Sequence, residues 1–394
     1  MRITWVTRSF LDYRVPVYAE LDKLCRHQLT VIYYKDIPPV RCQEKLKAVL
    51  GDRAMARDKE LRIGNRPKID NASRANSSVR IPISPGLIKQ VIDTKPDVLV
   101  SDGFMQWTYA ALAVRALKGI PHVMLYERTA HTERTAGKVR TLYRKIVSRW
   151  IDAIGCNGKL TGDYVKSLLG WDDSRLTYGH MVADVTGMEK QVDNVKSEEC
   201  LQIRNRYGIE GLMLLFVGQL ISRKGVKELL RAWDVFQRQT SEICTLVYVG
   251  SGAQEEELKA LVKKRNIQHV VMTGAIDYDQ IAPFYKTADC FIIPTLEDNW
   301  SLVVPEAMAC GLPIATSIYN GCHPELVHKE NGWTFDPLNQ KSIVDILGKI
   351  VAAKNILPQM GLASKQIVSH ETAERAAQSI YDAINIAISR RKKK

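Results

Sequence analysis

A chain of 394 residues, 45% apolar and 25% charged, has the make-up of an ordinary folded protein and exceeds the usual single-domain size, so two domains are the default. No run approaches the roughly 20 apolar residues that a membrane span needs, and Arg2 to Val6 read as a strand rather than a secretion signal. The net charge of +13 is uneven: residues 1–150 hold 28 Lys+Arg against 14 Asp+Glu, residues 151–389 hold 23 against 29, and the last five residues are all basic. Such a first half suits an anionic partner, whether a lipid surface, a phosphorylated acceptor or nucleic acid; the alternative is a merely solubilising surface.

In chain order, the first half shows strand patterns at Ile3 to Val6, Leu29 to Tyr34, Val98 to Val100 and His122 to Tyr126. Helical patterns fall at Val15 to Cys25, Leu87 to Ile92 and Tyr109 to Leu117. Residues 51–80 are polar, with Asn-Arg-Pro-Lys and Asn-Ala-Ser-Arg-Ala-Asn-Ser-Ser, and read as a mobile excursion from the first sheet. Residues 134–150 form a basic amphipathic segment. Arg134, Lys138, Lys145 and Arg149 share one side, and Val139, Leu142, Tyr143, Ile146 and Trp150 line another. Two readings stay open: contact with an anionic membrane leaflet, or an apolar stripe packed on the sheet with its basic face in water. Residues 179–200 read as irregular, which places the domain boundary there.

The second half alternates strand and helix, the pattern of a parallel sheet covered on both faces. Strands are expected at Leu212 to Val217, Thr245 to Val249, Val270 to Thr273, Cys290 to Ile293 and Pro313 to Thr316. Helices are expected at Val226 to Gln237, Glu255 to Arg265 and Ile281 to Lys286. The final helical pattern, Glu371 to Ser389, repeats Ala373, Ala376, Ile380, Ala383, Ile384 and Ala387 on one face. The eight cysteines show no metal-ligand spacing, so reduced thiols and no zinc are expected, most simply in the cytoplasm.

The most informative stretch runs from Ala288 to Gly311. Cys290 to Ile293 suits a buried strand, Pro294 and Glu297-Asp298-Asn299 stop it, and a short helix should run from near Leu302 to Cys310, ending at Gly311. Pro305 belongs in the first turn, and Ser301 is the natural N-cap. The N–H groups of Ser301, Leu302 and Val303 should then point out of a helix start at the carboxyl end of a strand, a place for an anion. Asp298 and Glu306 can project toward the same ligand, which suits a nucleotide diphosphate. Gly218, Arg223 and Lys224 follow the first strand of this half: the glycine lets backbone approach a ligand, and the two cations can meet the charge of a leaving diphosphate. Asp277-Tyr278-Asp279 reads as helix capping rather than a metal site.

These motifs resemble the carboxylate signature of retaining GT-B glycosyltransferases of family 4, with Glu306 followed by Ala-Met-Ala-Cys-Gly. The resemblance is specific over 212–337 and weaker before it. It implies two Rossmann-like parallel-sheet domains facing across a cleft, an N-terminal acceptor-side domain over 1–183 and a nucleotide-sugar domain over 184–372, with a C-terminal helix (373–394) crossing back to the first. It implies that Glu306 holds the ribose hydroxyls, Asp298 contacts the sugar, and Gly274 and Ile276 flank the nucleobase through backbone groups. Lys224 matches the family's lysine. Gln219 stands where an arginine is usual, with Arg223 supplying that charge. In Thr316 to Val327 the first glycine of the family's Gly-Gly loop is Asn320, a residue that tolerates positive φ, and Pro324 opens a helix. Asn331-Gly332 fits a further motif.

In this family the loop after His122 to Tyr126 faces the donor sugar, making Glu127 and His131 catalytic candidates. Asp102 reads rather as a capping aspartate. The usual N-terminal glycine-rich loop is absent; Arg14 stands in that region. The implied activity is retaining transfer of a sugar from a nucleotide-diphosphate sugar to a hydroxyl of a glycan or lipid-linked acceptor, in cell-surface polysaccharide or glycolipid biosynthesis, with no metal or other cofactor. An epimerase or phosphorylase of the same architecture is the nearest competitor. A nucleic-acid-binding protein lacks the aromatics expected among its basic residues.

Overall fold

The structure, a computed structural model, describes residues 1–63 and 81–392. Strands in chain order are β1 (Ile3–Val6), β2 (Leu29–Tyr34), β3 (Ala54–Arg57), β4 (Leu61–Ile63), β5 (Ile81–Ile83), β6 (Val98–Asp102), β7 (His122–Tyr126), β8 (Ala153–Cys156) and β9 (Leu176–Tyr178) in the first half. The second half holds β10 (Leu212–Val217), β11 (Cys244–Val249), β12 (Val270–Met272), β13 (Cys290–Ile293), β14 (Ile314–Ser317) and β15 (Gly332–Phe335).

The chain divides into two compact units. One takes the described residues through Val182 and then Thr372 onward; the other is Ala183–Glu371. The first contains a seven-stranded sheet in the order β3-β2-β1-β6-β7-β8-β9, every pair parallel, with β4 and β5 a separate antiparallel ribbon. Alternating side chains fill both faces. Ile3, Trp5, Val31, Tyr33, Val98 and Val100 enter one core, while Val6, Ile32, Tyr34 and Leu99 enter the other, as a parallel sheet covered on two sides requires.

The terminal helix Ala373–Lys392 completes the first core with Ala376, Ala377, Ile380, Ala383, Ile384 and Ala387, all fully buried. It lies against helix Arg14–Leu24 and β8. Mostly small side chains on its buried face permit that close approach.

In the second unit six strands run β12-β11-β10-β13-β14-β15, again all parallel. The two units are therefore Rossmann-like, as the sequence pattern implies. Helices Val226–Gln237 and Glu255–Arg265 have the expected bounds. Residues 179–200 are not irregular: they hold helix Val185–Asn194, capped by the Asp184 carboxylate on the Gly187 N–H at 2.9 Å, and the start of helix Ser197–Tyr207. Nor is 51–80 wholly an excursion, since Ala54–Arg57 is an edge strand; its Asn-Arg-Pro-Lys and Asn-Ala-Ser runs lie outside the described residues.

All eight cysteines are free. Among the described residues no helix is long and apolar enough to cross a membrane.

Each sheet has one point where the strand order reverses, between β1 and β6 and between β10 and β13. At such a point the two flanking loops diverge to opposite faces and leave a crevice beyond the carboxyl ends of the strands. The expected site residues of the second unit concentrate at its reversal.

Candidate functional site

The loop after β10 and the loop after β13 are joined by backbone and charge. Arg223 and Lys224 occupy a short 3-10 turn, and Gly225 ends it at φ 68°. A Cβ on Gly225 would lie 2.0 Å from the Pro294 carbonyl oxygen, so only glycine allows the turn to press against the end of β13. The Arg223 carbonyl then accepts from the N–H of Leu296 at 2.8 Å, the N–H of Glu297 at 3.2 Å and the Thr295 hydroxyl at 3.1 Å. Arg223 thus organises the second loop through its backbone. Its guanidinium forms no ion pair among the described residues and stays half-buried.

The Lys224 ammonium bonds the Asp298 carboxylate. The two side chains are only 15% and 12% exposed. The Ser301 hydroxyl donates to Asp298 at 2.5 Å, and the Trp300 N–H donates at 3.3 Å. Burial alone would push the Asp298 carboxyl up, but Lys224, the Ser301 hydroxyl and the Arg223 charge overcome it and hold it below the usual range.

Two expectations change here. Asp298 is not an acid free to reach a ligand; it is the anchor of Lys224. Ser301 is not the N-cap either, because its hydroxyl is spent on Asp298. Helix Val303–Ala309 starts after Leu302, with no side-chain cap. The Ser301 N–H donates to the Asn320 side-chain oxygen at 3.3 Å, which leaves the Leu302 and Val303 N–H groups as those at this helix start without an acceptor among the described residues.

Asn320 does not adopt positive φ. It is fully buried, donates to the Thr316 hydroxyl at 3.1 Å and pairs with Asp298 through an isolated bridge. A side-chain amide supplies an acceptor and donors at once, so this residue ties the loops after β13 and β14 together. Its neighbour Gly321 allows the contact: a Cβ there would lie 1.8 Å from the Asn299 carbonyl oxygen.

Glu306 lies in the first turn of Val303–Ala309. Its carboxylate accepts from the Tyr285 hydroxyl at 3.3 Å and has no cation partner among the described residues. Burial pushes the carboxyl up to about 7, against the Tyr285 bond and helped by the Asp184 charge. An acid kept from cations in this way can serve neutral hydroxyl donors.

Gly218, exposed Gln219 and half-buried Ile276 complete the neighbourhood. The Gly250 N–H donates to the Gly274 carbonyl at 2.9 Å, which binds the loop after β11 to that after β12 and occupies one of the backbone groups expected to face a base. Ile276 keeps both its backbone groups unpaired among the described residues. Asp277 precedes and Asp279 lies inside the 3-10 turn Tyr278–Gln280, and neither that turn nor helix Ala282–Thr287 has a side-chain cap, so the capping reading does not hold. Asn331 is buried and bonds the His328 N–H and the Leu326 carbonyl at 2.7 and 2.9 Å, a structural tie. Pro324 is the second residue, not the first, of helix His323–Leu326.

Glu127 and His131 belong to the first unit, in the loop after β7. Glu127 meets Arg14, with Nη2 3.5 Å from its carboxylate, and His131 is half-buried. Arg14 is nearly fully buried and reaches the His180 ring and carbonyl, each at 3.3 Å. Burial, with the Arg14 charge, pushes His180 down to about 3, so it stays neutral. Asp102 does not cap a helix: one carboxylate oxygen accepts from the Trp5 indole at 3.2 Å, the other has no hydrogen-bond partner among the described residues, and burial pushes its carboxyl up. The sequence signal for His180 was thin, a lone histidine after Gly179 beyond a three-residue strand.

Residues 202–366 match the family described as glycosyl transferases group 1. An uncharacterized glycosyltransferase of Methanocaldococcus jannaschii is 33% identical over 154 residues, 38% of this chain and 39% of that protein. A D-inositol 3-phosphate glycosyltransferase of Xylanimonas cellulosilytica is 22% identical over 245 residues, covering 61% of this chain and 58% of the relative. These matches span only part of the relatives' own lengths. Anabaena HepE, solved in complex with UDP, superposes with a TM-score of 0.72 at 14% identity over 98% of this chain and 100% of that one. Residues 202–366 thus resemble the glycosyl transferases group 1 family, and the chain has the two-sheet fold of GT-B glycosyltransferases.

Proposed function

We propose that the chain is a retaining glycosyltransferase of the family 4 type, moving a sugar from a nucleotide-diphosphate sugar to a hydroxyl of a glycan or lipid-linked acceptor in polysaccharide or glycolipid biosynthesis. The observation that carries this reading is Glu306: an acid held near a pKa of about 7 and free of cations, one helical turn from two open N–H groups, at the strand-order reversal where Arg223 and Lys224 also converge. Glu306 accepts the ribose hydroxyls. The Leu302 and Val303 N–H groups and the Arg223 guanidinium face the diphosphate, with Lys224 held ready by Asp298. Ile276 offers its backbone to the base.

In the reaction the bond from the anomeric carbon to the diphosphate oxygen breaks, and its electron pair stays on the diphosphate. The acceptor oxygen bonds the anomeric carbon on the same face, and its proton passes to the departing phosphate oxygen. Such a path asks the protein for charge stabilisation and positioning rather than a nucleophile. The leaving charge is assigned to Arg223, Lys224 and the helix start, with no metal; turnover is expected to survive EDTA. Glu127 and His131 are assigned to the sugar and acceptor.

A panel of UDP-, GDP- and ADP-sugars tests the reading, with UDP-sugars first because HepE was also solved with UDP-glucose. Transfer with retained configuration supports it. Epimerised donor, or sugar phosphate formed with free phosphate, would replace it with an epimerase or a phosphorylase.

The raised Glu306 carboxyl gives a pH prediction. Ribose hydroxyls donate to the ionised form, so bound nucleotide lowers the pKa from about 7 and binding near that pH releases a proton. Affinity should rise with pH below about 7, by at most about tenfold per unit, and level off above it. Calorimetry in two buffers of different ionisation enthalpy measures the released proton; Glu306→Gln should abolish both the release and the pH slope.

A further inference from the structure

We infer that helix Lys138–Val147, with the turn Ser148–Trp150 that follows it, is a surface that docks on an anionic lipid bilayer. This goes beyond the transferase reading and does not depend on it.

The helix is oriented opposite to a water-facing one. Val139, Leu142, Ile146 and Trp150 are 84%, 59%, 43% and 37% exposed. Their spacing of three, four and four residues puts them in one stripe. Scattered single apolar residues are normal on a surface, but a contiguous stripe marks a contact. Lys138, Lys145 and Arg149 are exposed and project along one edge of it.

The inward side carries Arg144, whose side chain is 1% exposed. It donates to Glu133 at 2.8 Å and to the Tyr164 hydroxyl at 2.9 Å and lies 5.7 Å from the Phe104 ring centre. Glu133 is itself buried and also receives Arg128 at 2.5 Å, with Arg140 3.9 Å away. This ion cluster pins the helix. Turning it to bury Leu142 and Ile146 would pull Arg144 off a buried carboxylate, which is strongly unfavourable. Packing of the apolar stripe on the sheet, the second reading of this segment, is therefore ruled out. Of the apolar residues of this helix, Tyr143 and Val147 pack against the core.

Charge complementarity selects the occupant. One carboxylate among three arginines leaves a positive excess beneath the helix, and the stripe's edge adds three exposed cations. An amphipathic helix with basic edges and a tryptophan lies in the plane of a bilayer interface, its apolar face among the acyl chains and its cations at anionic headgroups. A second copy of the same chain would bring the same positive rim against itself.

The full chain should co-sediment with vesicles of phosphatidylcholine plus phosphatidylglycerol at low salt, weakly at high salt, and not with phosphatidylcholine alone. The double variant Leu142→Glu/Ile146→Glu, and separately the triple variant Lys138→Glu/Lys145→Glu/Arg149→Glu, should each weaken binding by about tenfold or more. Val40→Glu, another exposed apolar residue, should leave it unchanged, and thermal melts should show every variant folded. No binding to the anionic vesicles, or binding by the Leu142/Ile146 variant equal to wild type, overturns the assignment. So does self-association that this variant abolishes while vesicle binding stays the same.

Discussion

Replacing Glu306 with alanine is expected to lower kcat/KM for the nucleotide sugar by on the order of a thousandfold while leaving the fold intact. Hydrogen bonds to a charged group contribute roughly 1.5–3 kcal/mol each, and two ribose hydroxyls can reach one carboxylate. The thermal midpoint should hold or rise. A carboxyl whose folded pKa is raised to about 7 favours folding fully only below the unfolded value, and that advantage is lost as pH rises through about 7. At pH 8 the side chain therefore weighs against the folded state, and its removal relieves that. Glu306→Gln separates charge from shape: it should keep the fold and recover part of the binding. Turnover by purified Glu306→Ala protein at the wild-type rate would end the assignment.

Lys224→Met should damage both stability and activity. Asp298 would then keep its burial and lose its ammonium, and breaking a buried pair from one side costs about 3–5 kcal/mol. The deficit has a definite pH dependence. In the wild type the Asp298 carboxyl sits below its ordinary value, so its contribution is present above that value and lost in acid. In the variant, burial raises the same carboxyl, so the folded state gains as pH falls. The gap between the two proteins should be widest near pH 7 and close toward pH 4. Asp298→Asn added to Lys224→Met should restore most of the stability but not the activity, because the cation that meets the leaving diphosphate remains missing. Urea melts at both pH values, with turnover measured beside them, decide the outcome. Equal deficits at the two pH values would mean that Asp298 and Lys224 are not coupled.

The elements that sequence made legible were those with long apolar or strictly periodic runs, such as β10, β13 and helix Val226–Gln237. Strand β9 has three residues and β3 reads Ala-Met-Ala-Arg, too short and too mixed for periodicity to register. Helices Val185–Asn194 and Ser197–Tyr207 were hidden by polar composition. The second buries no residue fully, so no apolar stripe announces it. The positions of Lys224, Asp298 and Glu306 in the turn, loop and helix start that follow β10 and β13 were readable in the same way, from the turn residues around them.

What each of those groups does with its neighbours was not readable. Asp298 and Lys224 lie 74 residues apart, and neither local spacing nor propensity says that they meet. The pairing spends Asp298 internally, while Glu306, eight residues later in the chain, is left open. Asn320 likewise looks like a substitute for a turn glycine until the sheet brings Thr316 and Ser301 to its amide. Sequence alone determined the parallel-sheet class, the loops that carry chemistry and the acidic and basic character of each, because periodicity and turn residues are local properties. Tertiary structure alone decided which charges cancel, which acid is raised, and which face of helix Lys138–Val147 meets the outside. Those outcomes depend on burial and on charges remote in the chain, and a carboxylate's pKa or an arginine's place in a core is set by what surrounds it in space.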